Sequence, residues 1–253
     1  MLNTVSRHIR RAQPVLAAAA VLGVALAAPA LATTSQEGAD AGALVPPPPP
    51  VCGGLTEAQA VAAGYRTFLG DAVTPVDDII VQTADNLQDW VMTFGGADTV
   101  WVGGGSDIVC TGEDLDQVNG GARADDIDLG PGNDFASGEG GNDVIFGGAD
   151  VDTIWGDNSV NPYPSDGRDE IDGGGEGDFL YGGGAVDTIQ GGLGVDEIYG
   201  NGGGDILAGG GDDDFLLGQG GVDSLTGSLG VDEGNGGTGV DSTCDVEVPI
   251  DCP

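Results

Sequence analysis

The chain has 253 residues, 42 acidic against six basic side chains, and a formal net charge of −36, with 50 glycines, one histidine and no lysine. So acidic a molecule repels nucleic acid and anionic lipid. It also lacks the commonest Schiff-base nucleophile and has almost none of the commonest general base and zinc ligand, which argues against most enzyme classes.

Residues 1–32 carry the pattern of a secretory signal peptide. Arg7, Arg10 and Arg11 supply the positive start, Val15 to Ala28 the apolar middle, and Ala30-Leu31-Ala32 a small-residue cleavage site. The apolar run is short for a membrane anchor and ends at Pro29. Cleavage after Ala32 would give a secreted, extracellular chain with no transmembrane segment after processing and without His8. Arg66, Arg123 and Arg168 then stand alone against 42 acids, a net charge of −39. Residues 33–51 end in the run Pro46 to Pro50, which favours an extended spacer of about 15 Å. A ligand for a proline-binding module is the alternative.

Residues 52–92 read as a cap with a degenerate first turn. Thr56 and Gln59 have capping-box spacing and predict a short helix that stops at Gly64. Val76 to Thr83 and Asp89 to Thr93 predict strands, and Asp89 falls nine residues before Asp98. About forty residues cannot bury a sizeable core alone, so this segment is expected to lean on the C-terminal remainder of the chain.

Residues 93–244 are one nonapeptide written sixteen times, clearest in Gly147 to Trp155, Gly-Gly-Ala-Asp-Val-Asp-Thr-Ile-Trp. Its sixth position holds Asp98, Asp107, Asp116, Asp125, Asp134, Asp143 and Asp152. After an eight-residue insertion within Asn158 to Asp166 it holds Asp169, Asp178, Asp187, Asp196, Asp205, Asp214, Asp223, Asp232 and Asp241. Position eight is apolar from Val100 to Leu225 and fails only at Gly234 and Thr243. One inward side chain per nine residues suits a very short strand, with glycine-rich turns between strands. Two copies per turn give a flattened coil whose parallel strands stack about 4.8 Å apart. Its core becomes continuous only by stacking.

The same stacking puts alternate aspartates in two columns along the edges, Asp98 to Asp232 on one and Asp107 to Asp241 on the other. Carboxylates one strand spacing apart repel unless a cation lies between them. Calcium, which takes six to eight oxygens, suits a loop that offers carboxylates and carbonyls, and magnesium suits it less. Eight loops per edge leave seven gaps each, a ceiling of fourteen sites. Asp114, Asp150, Glu176 and Asp212 at position four could add ligands.

This unit resembles the RTX, or haemolysin-type, calcium-binding repeat. The resemblance implies an all-β fold, a parallel β-roll whose loops hold several calcium ions through the position-six aspartates and loop carbonyls. Departures mark weaker sites: Arg123 at position four, Phe94, Glu139, Asp157, Asn201, Gln219 and Ser228 at position two, and Thr93, Val102 and Thr111 at position one. The sites between Asp125 and Asp223 are expected to be the best formed.

Four cysteines remain after cleavage, an even number that in an exported chain favours disulfides, with three possible pairings. Cys244 with Cys252, stapling residues 245–253, and Cys52 with Cys110 are the expected pairs. The leading functional reading is a structural or surface-interaction module that is not an enzyme. An adhesin is the alternative, with Trp155, Phe179, Tyr181, Tyr199 and Phe215 forming an outward stripe on one sheet for polysaccharide, a cell surface or a second copy. A carboxylate-based extracellular enzyme comes third, with Asp77 and Asp78 outside the repeat phase.

Overall fold

The structure, a computed structural model, describes residues 52–70, 79–81, 86–157, 166–239, 241, 243–246 and 248–250. Residues 1–51, where a signal peptide and linker are expected, lie outside these residues, as do Asp77, Asp78 and Cys252. The described residues form a parallel β-roll.

Successive copies alternate between two sheets. One runs through Asp89–Gly95, Ile108–Glu113, Asp126–Pro131, Val144–Ala149, Glu170–Gly175, Thr188–Leu193, Ile206–Gly211 and Ser224–Leu229. The other runs through Thr99–Trp101, Gln117–Ala122, Phe135–Gly140, Thr153–Asp157, Phe179–Gly184, Glu197–Gly203 and Phe215–Leu217. All these strand pairs are parallel and like positions meet, as in Ile154 opposite Leu180. The insertion leaves this register intact, because Val144 pairs Glu170 as it pairs Asp126.

The position-eight side chains from Val100 to Leu225 form one buried column between the sheets, prefaced by Val91 and closed at the N-terminal end by Phe68. Each such aliphatic group contributes about 1.5–3 kcal/mol relative to an exposed one, except the smaller Ala136. At Gly234, where the apolar pattern fails, an added Cβ would meet the Val246 side chain at 2.8 Å, so Val246 fills the space from outside the repeat.

The strands are longer than their three-residue apolar signal. Pairing continues through positions one to three, as in the six-residue strand Thr188–Leu193. Glycine makes this possible. At Gly192 φ is +118°, and a Cβ there would press into the Gly174 carbonyl of the preceding turn. Among the described residues, all eleven non-glycine residues with positive φ fall at position two or four, among them Phe94, Arg123, Glu139 and Asn201. The departures therefore keep the turn geometry that glycine would adopt more easily.

The cap folds by its own signals. The helix Glu57–Ala63 begins at a reciprocal Thr56–Gln59 capping box and ends at left-handed Gly64. Arg66–Leu69, a strand that the sequence did not announce, pairs with Asp89–Gly95. Ile79–Val81 starts the other sheet. Helix residue Ala60 packs with Cys52, Trp90, Met92 and Ile108 in a second small core. The expected Cys52–Cys110 disulfide is present. Cys244 is also disulfide-bonded.

Candidate metal centre

Each ladder aspartate is the last turn residue before a strand, and its backbone is already committed to stacking. From Asp98 through Asp223 its N–H donates to Oδ1 of the aspartate one full turn later, as from Asp98 to Asp116 at 2.8 Å and from Asp187 to Asp205 at 2.9 Å. Its carbonyl accepts from the residue after that aspartate, as Phe215 N–H reaches Asp196 at 2.9 Å. The bonds cross the insertion unchanged, with Asp143 to Asp169 and Asp152 to Asp178 both at 2.8 Å. All sixteen position-six aspartates are thus brought into two columns, with the membership that the nine-residue phase predicts. Asp89 joins the second column by donating to Asp107 at 2.7 Å.

The carboxylates are buried under the turns, none more than 6% exposed. Oδ1 is spent on the ladder, while from Asp116 to Asp214 the Oδ2 of every ladder carboxylate is buried without a hydrogen-bond donor. An orphaned charged oxygen in the interior is strongly unfavourable. Burial, opposed by the ladder hydrogen bond and reinforced by neighbouring carboxylates, pushes Asp125 up to about 9 and Asp152 and Asp169 to about 8. The same burial takes Asp143, Asp178, Asp187 and Asp205 to about 7. It also raises Asp196 and Asp223.

The position-one glycine gives each carboxylate its room. A Cβ at Gly147 would sit 2.5 Å from both Asp152 Oδ2 and the Gly173 carbonyl oxygen, and one at Gly200 would press on Asp205 Oδ2 and the Gly218 carbonyl in the same way. Carboxylate and carbonyl oxygens therefore face one flank of each turn. Where position one is Thr93, Val102, Thr111 or Leu129, the side chain is fully buried on that flank. Leu129, five residues before Asp134, is a fourth non-glycine at position one and brings Asp134 into the group whose surroundings depart from the repeat.

This donor set fits a hard divalent cation, since it consists of oxygens with an uncompensated negative charge. No three His, Cys, Asp or Glu side chains converge among the described residues. Carbonyls would have to complete any shell. The position-four acids Asp114, Asp150, Glu176 and Asp212 are exposed, and the charge of Asp212 acts on Asp196 and Asp214. Asp150 acts on Asp134 and Asp152 only through its charge. Asp157, which in the sequence looks like a lapse at position two, is 97% buried. It accepts from Gly167 and Gly184 N–H at 3.3 and 2.8 Å, stitching the turn that the insertion interrupts.

The aromatic stripe lies on one sheet, as expected, but its rings face each other. Trp155 stacks on Tyr181 at 5.1 Å and 11°, and Tyr181 on Tyr199 at 4.9 Å and 7°. Phe135 and Phe215 tilt against the two ends. Phe179 stands beside the stack, 37% exposed.

Stacked nonapeptides with buried acidic columns define a calcium-binding β-roll. The sequence profile of the RTX calcium-binding nonapeptide repeat matches residues 88–118, 128–159, 163–198, 181–216, 199–234 and 209–242. The chain belongs to this family, whose repeats bind calcium. No curated protein and no solved structure matches it.

Proposed function

We propose that Asp98, Asp107, Asp116, Asp125, Asp134, Asp143, Asp152, Asp169, Asp178, Asp187, Asp196, Asp205, Asp214, Asp223, Asp232 and Asp241 are the calcium-holding side chains. We further propose that the chain, exported through residues 1–32 and cleaved after Ala32, folds on meeting extracellular calcium. In this reading it is a structural or surface-interaction module without catalysis of its own. The observation that carries it is the run of buried Oδ2 atoms from Asp116 to Asp214 that lack a donor. A divalent ion supplies positive charge and oxygen coordination there, so binding and folding become one event.

Circular dichroism of the mature chain with calcium and with chelator tests the reading. A β spectrum that collapses in chelator supports it, and an unchanged spectrum with an unchanged melting curve overturns it. The adhesin reading is weaker, because rings that spend their faces on each other offer edges, not platforms, to a sugar. Catalysis has less support still. The open pocket beside Met92, Phe94 and Cys110 contains one carboxylate, Asp128, whereas glycoside hydrolysis uses two.

A further inference from the structure

The second column begins with an aspartate that differs from its successors. Asp89 is fully buried and donates its N–H to Asp107 like any ladder member, yet both of its carboxylate oxygens are gripped by one side chain. Arg66 Nε donates to Oδ1 at 2.6 Å and Nη2 to Oδ2 at 2.7 Å. This is the bidentate fork that a guanidinium offers a carboxylate and an ammonium does not.

Arg66 is held in place from several sides. Its strand pairs with Asp89–Gly95, so Arg66 lies opposite Asp89 itself, and its guanidinium stands 5.9 Å from the Phe68 ring that closes the core. Around it the first rungs are tied by interactions that involve no metal. Cys52 is bonded to Cys110, Trp90 Nε1–H donates to the Cys52 carbonyl at 3.0 Å, and the Thr93 and Thr111 hydroxyls donate to the Thr111 and Leu129 carbonyls at 3.0 and 2.9 Å. Val102 and Leu129 also add apolar side chains to the core at position one, where Gly138 and the opening residues of all later copies from Gly147 have none.

We propose that Arg66 is a built-in cation for the first rung. It supplies to Asp89 the positive charge that calcium brings to later carboxylates, and so keeps the N-terminal rungs folded in the absence of calcium as a template on which the others stack. This rests on calcium-dependent folding of the roll, and the experiment separates the two ideas.

Hydrogen exchange is followed by mass spectrometry on the full mature chain, in calcium and in chelator. In chelator, peptides covering Arg66–Leu69, Asp89–Gly95 and Ile108–Glu113 should exchange at least about 10-fold more slowly than those covering Thr188–Leu193, Glu197–Gly203 and Ile206–Gly211, because amide exchange reports local opening. Uniform loss of protection overturns the template and leaves calcium-dependent folding standing. Uniform retention overturns calcium-dependent folding and the template with it. Arg66→Gln should match the parent in saturating calcium, with the disulfide intact, and lose the low-calcium protection of the first rungs. If it keeps that protection, Arg66 is not the agent. Should Arg66→Gln fail to fold even in calcium, Arg66→Lys decides: intermediate low-calcium protection supports the fork, and protection equal to the parent's overturns it.

Discussion

At its N-terminal end the apolar column stops against Phe68, and the second carboxylate column stops at Asp89, which is held by an arginine. At its C-terminal end the apolar column runs out at Gly234, where Val246 leans in, and the carboxylate column stops at Asp241, whose bond from Asp223 N–H has lengthened to 3.2 Å. One end replaces each missing neighbour with a specific partner. The other lets the repeat fade and fills the space with Val246 and with Cys244, which pairs opposite Leu225. A stacked coil needs something at both ends to cover what the next turn would have covered. Only at the first end does that something carry charge, so the two ends should respond differently to anything that changes the state of the carboxylates.

The largest expected effect comes from pH in the absence of calcium. Between Asp116 and Asp214 burial raises the folded values of the ladder aspartates above 3.8, most of them to between about 6 and 9. A raised value means that the folded state binds protons more tightly than the unfolded one. Stability from these groups is thus fully present below pH 4 and is lost as pH rises through about 6 to 9. In chelator the rungs after Gly138 should be unfolded at pH 8 and recover β circular dichroism near pH 3.5. Absence of structure at acid pH would show that neutralising the columns is not enough.

Next in size is the contrast along one column. Asp187→Ala leaves the Asp169 N–H without its acceptor and should cost about 1–3 kcal/mol in denaturant unfolding in calcium. Asp241→Ala, at the already lengthened last bond, should cost less than about 1 kcal/mol. Equal losses would contradict a stack in which interior turns have two neighbours and the last has one. The two core plugs form a smaller pair. Phe68→Ala should lower stability by about 2 kcal/mol and Val246→Ala by about 1 kcal/mol, because neither side chain is fully buried. Thermal melting of both variants at saturating calcium tests that order.

The smallest effect concerns the aromatic stack. The triple change Trp155→Thr, Tyr181→Thr and Tyr199→Thr should cost about 0.5–1.5 kcal/mol per ring pair, with calcium affinity unchanged. A polysaccharide pull-down or sedimentation change that the triple variant abolishes would instead restore the adhesin reading.

Much of the fold was legible because it is periodic. The buried position-eight residues and the membership of both aspartate columns come from counting nines, and the helix before Gly64 comes from Thr56 and Gln59. What periodicity cannot express stayed hidden. Arg66 and Asp89 are 23 residues apart, a spacing outside the repeat. The inward direction of Val102 and Leu129 was masked because position one is usually glycine and so carries no hydropathy signal. The length of the strands was hidden for the same reason, since their second halves are paired by backbone alone. Asp157 looked like a lost glycine because its two partners, Gly167 and Gly184, lie across an insertion and on the next turn.

The insertion between Asp152 and Asp169 has a wider consequence. The ladder bonds that flank it, Asp143 to Asp169 and Asp152 to Asp178, keep the 2.8 Å length they have elsewhere, although each spans 26 residues where 18 is usual. The register of the ladder is therefore set by the succession of loops and not by the amount of chain between them. Asp157 acts as the clasp that lets a turn be opened and closed again around added sequence. The roll is modular in a second sense: it can be lengthened by adding copies, and it can also be decorated at a turn, where an inserted segment would be displayed at a chosen height along the stack without disturbing the rungs on either side.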